Sequence, residues 1–343
     1  MKVIITDPIS ESGISFLKEA DFSVVQLYNA SKEDIIRACE DADGWIIRSG
    51  TKIDKKMIKA AKKLKAIGRA GVGVDNIDID EATKRGIIVM NTPDVNTISA
   101  AEHSIAMMLA LSRNVSIGDS EVKQMKWNRH LLIGSELRGK TLGLVGMGKI
   151  GREVMSRCIS FGMNVLGYDP FVNKEMFKDG EIEIVDLDRL TEQSDFISIH
   201  VPLNSDTTNL FDYQRLKKMK QTARIINVSR GGIINEKDLS RALRDGVISG
   251  AAIDVFTKEP IEKSNPLIDS PNILLTPHLG ASTEEAKEGV SISICQQLKS
   301  YLIDEKLENA INIPFGGLSR IKDLELSLKL SETIGRIQSQ INK

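Results

Sequence analysis

Residues 142–151, LGLVGMGKIG, join an apolar run to a G-x-G-x-x-G turn, and no other stretch restricts the fold of this chain so strongly. Gly146, Gly148 and Gly151 follow a strand pattern and precede a helical one, KIGREVMSRCISFG. In that context the first glycine permits a tight turn and the second lets backbone approach a pyrophosphate. The third lets helix pack closely on strand. The helix start adds unpaired N–H groups and the positive end of a dipole. By itself the hexamer is equally a tight structural turn, so the residues beyond it matter. VLGYDP puts Asp169 at the end of the next strand, near the spacing of roughly 20 residues expected of a ribose-binding acid. A carboxylate there accepts hydrogen bonds from a ribose diol and repels a 2′-phosphate, which favours NAD over NADP. The alternative is a solvated strand-end aspartate.

About two-fifths of the chain precedes this turn, and it reads as an α/β domain of its own. The strand patterns KVIIT, FSVVQL, WIIRS, KAIGRAG and IIVMN alternate with the helical ones ESGISFLKEA, SKEDIIRACEDADG, DKKMIKAAKKL and IDEATKRG. That alternation predicts a parallel sheet with helices on both faces. Ser31 stands as an N-cap and Gly44 as a helix stop. TISAAEHSIAMMLALSRN then predicts a long apolar helix, buried against another domain or a partner subunit. From KTLGLVG onward come six apolar runs, the last being NILLTP, the strand count of a full dinucleotide-binding fold. A final helix, with Ser282 and Glu285 at capping-box spacing, lies outside that series and is expected to rejoin the first domain. The expected organisation is therefore 1–95 with 284–315 as one discontinuous domain, 96–283 inserted in it, and 316–343 as a tail.

Lys plus Arg number 46 against 47 Asp plus Glu, a balance that offers no general field for nucleic acid or a membrane surface. The three cysteines, Cys39, Cys158 and Cys295, are far apart and odd in number, which fits a reducing compartment better than a disulfide framework or a metal site. MKVIITDPIS has no apolar core of a signal peptide, and no run approaches the roughly 18 apolar residues of a membrane helix. A cytoplasmic protein is expected.

With four histidines, each can be weighed. His103 sits within the apolar helix and reads as packed, and His130 reads as a solvated loop residue. His200, at a strand end, could touch a cofactor but has no acid–base partner nearby in sequence. His278, in TPHLGAST, follows a strand and a proline, on the carboxyl edge where ligands bind in such folds. Two preceding strands also end in chemistry. IINVSRGG carries Arg230, and AIDVFTKEP carries Asp254 and then Glu259 before Pro260. If those strands are neighbours, Arg230, Glu259 and His278 can converge on one site; otherwise they are three unrelated loop residues.

Taken together, GMGKIG, YDP, VSRGG, DVFTKEP and PHLGAST resemble the D-isomer-specific 2-hydroxyacid dehydrogenase family. GRAGVGVDNID, NTPDVNTISAAE and KWNRHLLIGSELRGKTLGLVGMGKIGREV are most similar to its 3-phosphoglycerate-oxidising branch, and the likeness runs to about residue 313. The resemblance implies two doubly wound parallel-sheet domains. A Rossmann NAD-binding domain is inserted into a flavodoxin-like substrate domain, with the active site in the cleft between them. It also implies a catalytic triad of Arg230, Glu259 and His278. His278 exchanges the hydroxyl proton as C2 loses hydride to the nicotinamide, Glu259 orients and charges the imidazole, and Arg230 holds the substrate carboxylate. For NAD it adds Lys149, Ile150, Val201, Val228, Ser229, Asp254 and Gly280 to the three glycines and Asp169. Val72 and Val201 stand where some relatives have threonine, so any side-chain hydroxyl bond to the cofactor is lost at those two places while backbone contacts remain.

For the substrate, the resemblance implies Arg48, Ser49 and Arg69 at strand ends of the first domain, with backbone N–H groups of Gly71 and Gly73. Arg129 would reach the phosphate from a partner subunit, in a homodimer. This set points to D-3-phosphoglycerate, the first step of phosphorylated serine biosynthesis. A glyoxylate/hydroxypyruvate reductase of the same family would share the triad and cofactor residues, and only the arginines separate the two. An NAD(H)-responsive corepressor-like binding protein is the reading from another class. The residues after about 313 resemble only the first helix of the serine-sensing domains of longer relatives, so serine feedback of that kind is expected to be absent.

Overall fold

In the computed structural model the described residues are 1–172, Phe177, 182–313 and helical positions scattered through 327–340. The chain divides into two compact units, Met1–Val95 with Glu284–Lys343, and Asn96–Thr283. Residues 316–326 of the expected tail lie outside the described residues.

The first unit opens with β1 (Lys2–Ile5), α1 (Glu11–Glu19), β2 (Ser23–Gln26), α2 (Lys32–Cys39) and β3 (Gly44–Ile47). It continues with α3 (Lys55–Ala60), β4 (Ala66–Arg69), α4 (Ile79–Lys84) and β5 (Ile88–Met90). The five strands pair in parallel, in the order β2-β1-β3-β4-β5, the flavodoxin-like arrangement, and an isolated antiparallel bridge joins Met90 of β5 to Ala310. β3 (GWII) is buried along its whole length, as a strand covered on both faces should be. Ser31 caps α2 by accepting from the Asp34 N–H, but α2 ends at Cys39 and Gly44 opens β3 rather than stopping the helix.

The second unit begins with α5 (Thr97–Ser112) and α6 (Val115–Lys123), and a short 3-10 turn follows at Arg129–Leu131. Then come β6 (Thr141–Val145), α7 (Lys149–Ser160), β7 (Asn164–Tyr168), β8 (Glu183–Ile184), α8 (Leu187–Gln193) and β9 (Phe196–Ile199). It closes with α9 (Tyr213–Leu216), β10 (Arg224–Asn227), α10 (Glu236–Arg244), β11 (Gly250–Ile253) and β12 (Ile273–Leu275). Among the described residues its seven strands are parallel, in the order β12-β11-β10-β9-β6-β7-β8. Six of them repeat the doubly wound dinucleotide-binding order and β12 extends it. The six apolar runs thus undercount the strands by one. β8 is two residues in the polar stretch EIEIVD, too short and too charged to stand out.

Apolar α5 does not await a partner on its buried side. It packs on α7 and on β10, β11 and β12 of its own unit, and Ala101, Ile105, Met107 and Met108 join that core. The helix's own unit thus covers this face of α5. Composition reveals that a helix is buried but not what covers it.

The last helix, α11 (Glu284–Asp304), returns to the first unit and lies on α1, β3, β4 and β5. Its seat is cut for it, because a Cβ at Gly68 of β4 would stand 2.7 Å from a carbon of Ile294. The helix begins two residues after Ser282, whose N–H instead closes a turn on the Leu279 carbonyl, so the expected capping box does not form.

Candidate active site

The phosphate turn is built by three glycines with different tasks. Gly146 leaves β6 with φ of +100°, a conformation a side chain rarely adopts, and a Cβ there would also stand 2.6 Å from the His200 carbonyl oxygen. At Gly151 a Cβ would lie 2.1 Å from the Gly146 carbonyl oxygen, so α7 could not sit this close to the turn with any larger residue. Gly148, the N-cap of α7, is extended at φ −69° and ψ −165° and has nothing within 4 Å of a built Cβ. Neither strain nor crowding requires a glycine there. The open space lies at the N-terminus of a twelve-residue helix, where N–H groups and the dipole favour an anion. Lys149 and Ile150 are the first residues of that helix.

Asp169 is the first residue past β7, at the strand end as expected. Its Oδ2 accepts from the Met147 N–H at 2.9 Å and its Oδ1 from the Phe171 N–H at 2.9 Å. Each carboxylate oxygen has a second lone pair, so the group is aimed by the turn and still able to accept from a diol. Val201 packs on the core beside this edge. His200 pairs with the Ser198 hydroxyl at 2.9 Å, and burial pulls its pKa down to about 4, which keeps it neutral at physiological pH.

β10, β11 and β12 are neighbours, and Asn227, Ile253 and Leu275 stand level across them. The residues just past those ends therefore share one edge of the sheet. After β10, the Asn227 side chain shapes the turn. Its Oδ1 accepts from the Ser229 N–H (3.0 Å) and hydroxyl (2.7 Å), and its Nδ2 donates to the Arg230 carbonyl at 2.9 Å. Sequence reasoning missed this residue, whose signal is an amide at a strand end followed two residues later by a serine. A Cβ at Gly231 would fall 2.0 Å from the Phe256 carbonyl, so glycine is what lets the turn carrying Arg230 lie directly against the segment leading to Glu259.

Glu259 accepts from the Phe256 N–H through Oε1 at 3.0 Å, and its Oε2 is 2.7 Å from Nδ1 of His278. Both side chains are a little over a third exposed, at 36% and 38%. Burial pushes the Glu259 carboxyl up, but the bonds from His278 and Phe256 and the charges of His278 and Arg230 outweigh it and hold the group below the usual carboxylate range. The pair is thus an ionised acceptor facing an imidazole.

His278 has φ of +56°, a left-handed conformation that surrounding bonds must hold. They run to Asp254, which is fully buried. The His278 N–H donates to the Asp254 carbonyl at 2.8 Å. The Asp254 carboxylate accepts from the N–H groups of Leu279 (2.7 Å) and Gly280 (2.9 Å) and from the Thr276 hydroxyl (2.5 Å). His103 of α5 completes the set, with Nε2 3.2 Å from Asp254 Oδ1. Burial raises the Asp254 carboxyl, and these four donors overcome it, so it too lies below its ordinary value. His103 is packed as expected, yet it is also a partner of this carboxylate. Gly280 sits against Val228, where a Cβ would come within 2.8 Å of the valine, and half-buried Ser229 follows Val228.

The expected substrate residues of the first unit flank the ends of two adjacent strands. Arg48 and Ser49 follow β3, while Arg69 ends β4 and is followed by Gly71, Val72 and Gly73. Gly71 has φ of +141°, and the Arg69 guanidinium occupies the place its Cβ would take. The Val72 carbonyl accepts from Asn91 Nδ2 at 2.7 Å. Arg129, in the second unit, is exposed in the 3-10 turn.

A family model described as "D-isomer specific 2-hydroxyacid dehydrogenase, NAD binding domain" matches residues 105–280. The chain is 42% identical over 342 residues to a D-3-phosphoglycerate dehydrogenase of Methanocaldococcus jannaschii, a match covering 99% of this chain and 65% of that protein. It is 45% identical over 340 residues to one of Synechocystis sp., covering 99% of this chain and 61% of that protein. It therefore spans less than two thirds of the length of these relatives. Among solved structures, the NAD-dependent formate dehydrogenase of Staphylococcus aureus in complex with NAD superposes with a TM-score of 0.82 at 29% identity, over 90% of this chain and 98% of that one. The chain belongs to the D-isomer specific 2-hydroxyacid dehydrogenase family, and its second unit carries that family's NAD-binding domain.

Proposed function

We propose that this chain oxidises D-3-phosphoglycerate to 3-phosphohydroxypyruvate, the first step of phosphorylated serine biosynthesis. The observation that carries the chemistry is the Glu259–His278 pair, joined at 2.7 Å on one strand edge with Arg230. A carboxylate only accepts, so Nδ1 of His278 carries the hydrogen of that bond and Nε2 is the atom for the substrate. In oxidation Nε2 takes the C2 hydroxyl proton, and Glu259 stabilises the imidazolium that forms. Arg230 holds the substrate carboxylate with a rigid fork of donors. In reduction the protonated His278 returns its proton from Nε2.

NAD, when bound, accepts the hydride from C2. The open side of Gly148 and the start of α7, with Lys149 and Ile150, fit its pyrophosphate, and the aimed carboxylate of Asp169 fits a ribose diol. Val201 would flank the adenine side, and Val228 and Ser229 the nicotinamide half. Val72 would offer backbone alone. Asp254, expected to bind the carboxamide, accepts from the N–H groups of Leu279 and Gly280 and would serve that group by ordering their segment.

The phosphorylated acid follows from Arg48 and Arg69 on neighbouring strand ends, with N–H groups of Ser49, Gly71 and Gly73 for the carboxylate. The names of the 42% and 45% identical relatives support the same choice. We further propose a homodimer. Val122, Met125, Trp127, Leu131 and Ile133 expose an apolar strip on α6 and the segment after it, Met125 at 93% and Ile133 at 82%, and a second copy would cover it. Arg129 lies in that segment and would serve the partner's phosphate site. No helix among the described residues is long and apolar enough to cross a membrane, and a cytoplasmic location is part of this reading.

The test is NADH absorbance with 3-phosphohydroxypyruvate, hydroxypyruvate or glyoxylate, for the wild type and Arg69→Ala. A strong preference for the phosphorylated acid, lost in the variant, is expected. Equal turnover of glyoxylate, indifferent to the substitution, would sink the substrate assignment and leave a reductase of the same family. No turnover of any acid would favour a binding protein.

A further inference from the structure

The turn Arg48–Thr51 is held at both ends by two side chains that stand far apart in sequence. Asp7, just past β1 and only 8% exposed, accepts from the N–H groups of Arg48 (2.6 Å) and Thr51 (2.9 Å) through Oδ2. Its Oδ1 accepts from the Thr51 hydroxyl at 2.9 Å. From the other side, Nδ2 of Asn76 donates to the carbonyls of the same two residues, at 2.7 Å to Arg48 and 2.6 Å to Thr51. Carboxylate to the two N–H groups and amide to the two carbonyls is the only assignment their chemistry allows. Gly50 passes so near the carboxylate that a Cβ would stand 2.7 Å from Asp7 Oδ1.

We propose that Asp7 and Asn76 are positioning residues that set the substrate-binding turn, and that Asn76 couples it to the turn after β4. Burying a carboxylate is costly unless bonds repay it, and here they are N–H and O–H groups of the turn itself. With the N–H groups of Arg48 and Thr51 taken, those left for an acid are on exposed Ser49 and Gly50. Asn76 closes the segment that contains Gly71 and Gly73, and its own carbonyl accepts from the Ile53 N–H at 2.8 Å. One amide therefore ties the Arg48 turn to the segment that follows Arg69. Neither side chain needs to touch the acid; they fix the spacing of the groups that do. The proposal rests on the reading of Arg48 and Arg69 as substrate residues.

Asp7→Asn and Asn76→Ser test it by steady-state reduction of 3-phosphohydroxypyruvate, hydroxypyruvate and glyoxylate, with amide hydrogen exchange of segment 48–51. Asp7→Asn removes the charge that strengthens the bonds from the Arg48 and Thr51 N–H groups and puts an NH2 where Oδ1 accepted from the Thr51 hydroxyl, and Asn76→Ser cannot reach both carbonyls. Each should raise the KM for the acid by about ten- to a hundredfold, as displaced binding groups do, and speed exchange in the segment. The kcat at saturating acid and the KM for NADH should stay within about twofold, a split that general destabilisation would not produce. An unchanged KM for the acid in Asn76→Ser, or equal losses in acid and NADH parameters, overturns the proposal. If the wild type prefers an unphosphorylated acid, the substrate reading fails by itself, and the clamp is then judged on the KM of the preferred acid. Should Asp7→Asn not fold, Asn76→Ser decides alone.

Discussion

Nδ1 of His278 lies 2.7 Å from Oε2 of Glu259, while Oε1 of the same carboxylate is held by the Phe256 N–H. One oxygen anchors the carboxylate to its own strand end and the other reaches the imidazole on the next strand. The pair therefore inherits its geometry from the pairing of β11 with β12. Flexible loops joined by chance would carry no such inheritance.

Glu259→Gln should keep that anchor, because its amide oxygen still accepts from Phe256. What it loses is the charge that favours the imidazolium. A fall in kcat of about 10²-fold is expected, toward the lower end of what general acid–base groups contribute, with the KM for NADH unchanged. His278→Gln should fall further. The measurement is kcat for reduction at neutral pH, and wild-type kcat in Glu259→Gln would remove Glu259 from the mechanism.

The phosphate turn predicts opposite outcomes for two glycines three residues apart. Gly148→Ala places a methyl group in open space at an ordinary φ, so stability should change by less than about 0.5 kcal/mol. NAD affinity should nevertheless drop, because the methyl would enter the space proposed for the pyrophosphate. Gly151→Ala drives a methyl to 2.1 Å from the Gly146 carbonyl, an overpacking that costs about 1–3 kcal/mol whether or not NAD is present. Thermal melts with and without NAD separate the cases. A Gly148→Ala protein that binds NAD like the wild type would mean the cofactor lies elsewhere.

Much of this was readable in the linear sequence, for a physical reason. Glycine turns, strand ends and cap residues act over a few positions, so GMGKIG, Asp169 and the Ser31 cap leave a local trace, and the parallel fold follows from alternation of periods. The order of β10, β11 and β12 could be posed only as a condition, since spacing cannot state which strands pair. What left no trace were contacts between distant positions. Asp254 gathers Leu279 and Gly280 from 25 and 26 residues away and His103 from 151, and Asp7 reaches Thr51 across 44. That an aspartate at a strand end and a histidine in an apolar helix are partners cannot be read until the fold brings them together. β8 escaped because two residues carry no period.

Asp169→Ala should relax cofactor choice. The substitution removes the negative charge that disfavours a 2′-phosphate, so the ratio of kcat/KM for NADPH to that for NADH should rise by about tenfold or more, mainly through poorer use of NADH. Loss of the bonds to the Met147 and Phe171 N–H groups should also loosen the turn, visible as weaker binding of both cofactors. An unchanged ratio would return Asp169 to the role of a solvated strand-end residue.

The Asp254 network makes a prediction about acid. Its carboxyl lies below the ordinary value in the folded chain, whereas in the unfolded chain it titrates near 3.9. A depressed folded value means that the stabilisation is fully present above about pH 4 and is lost as pH falls through the folded value. Asp254→Asn cannot titrate, and it places an amide where four donors converge, so at neutral pH it should cost about 3 kcal/mol or more, as breaking a buried charged network does. The gap between wild type and variant should stay constant from pH 7 to about 4.5 and narrow below it, as the wild type alone loses its carboxylate. Thermal melts across that range measure the gap. Parallel curves down to pH 3 would mean that the charge on Asp254 does not hold the His278 segment, and that the segment is kept in place by its packing against Val228 and the core of the second unit.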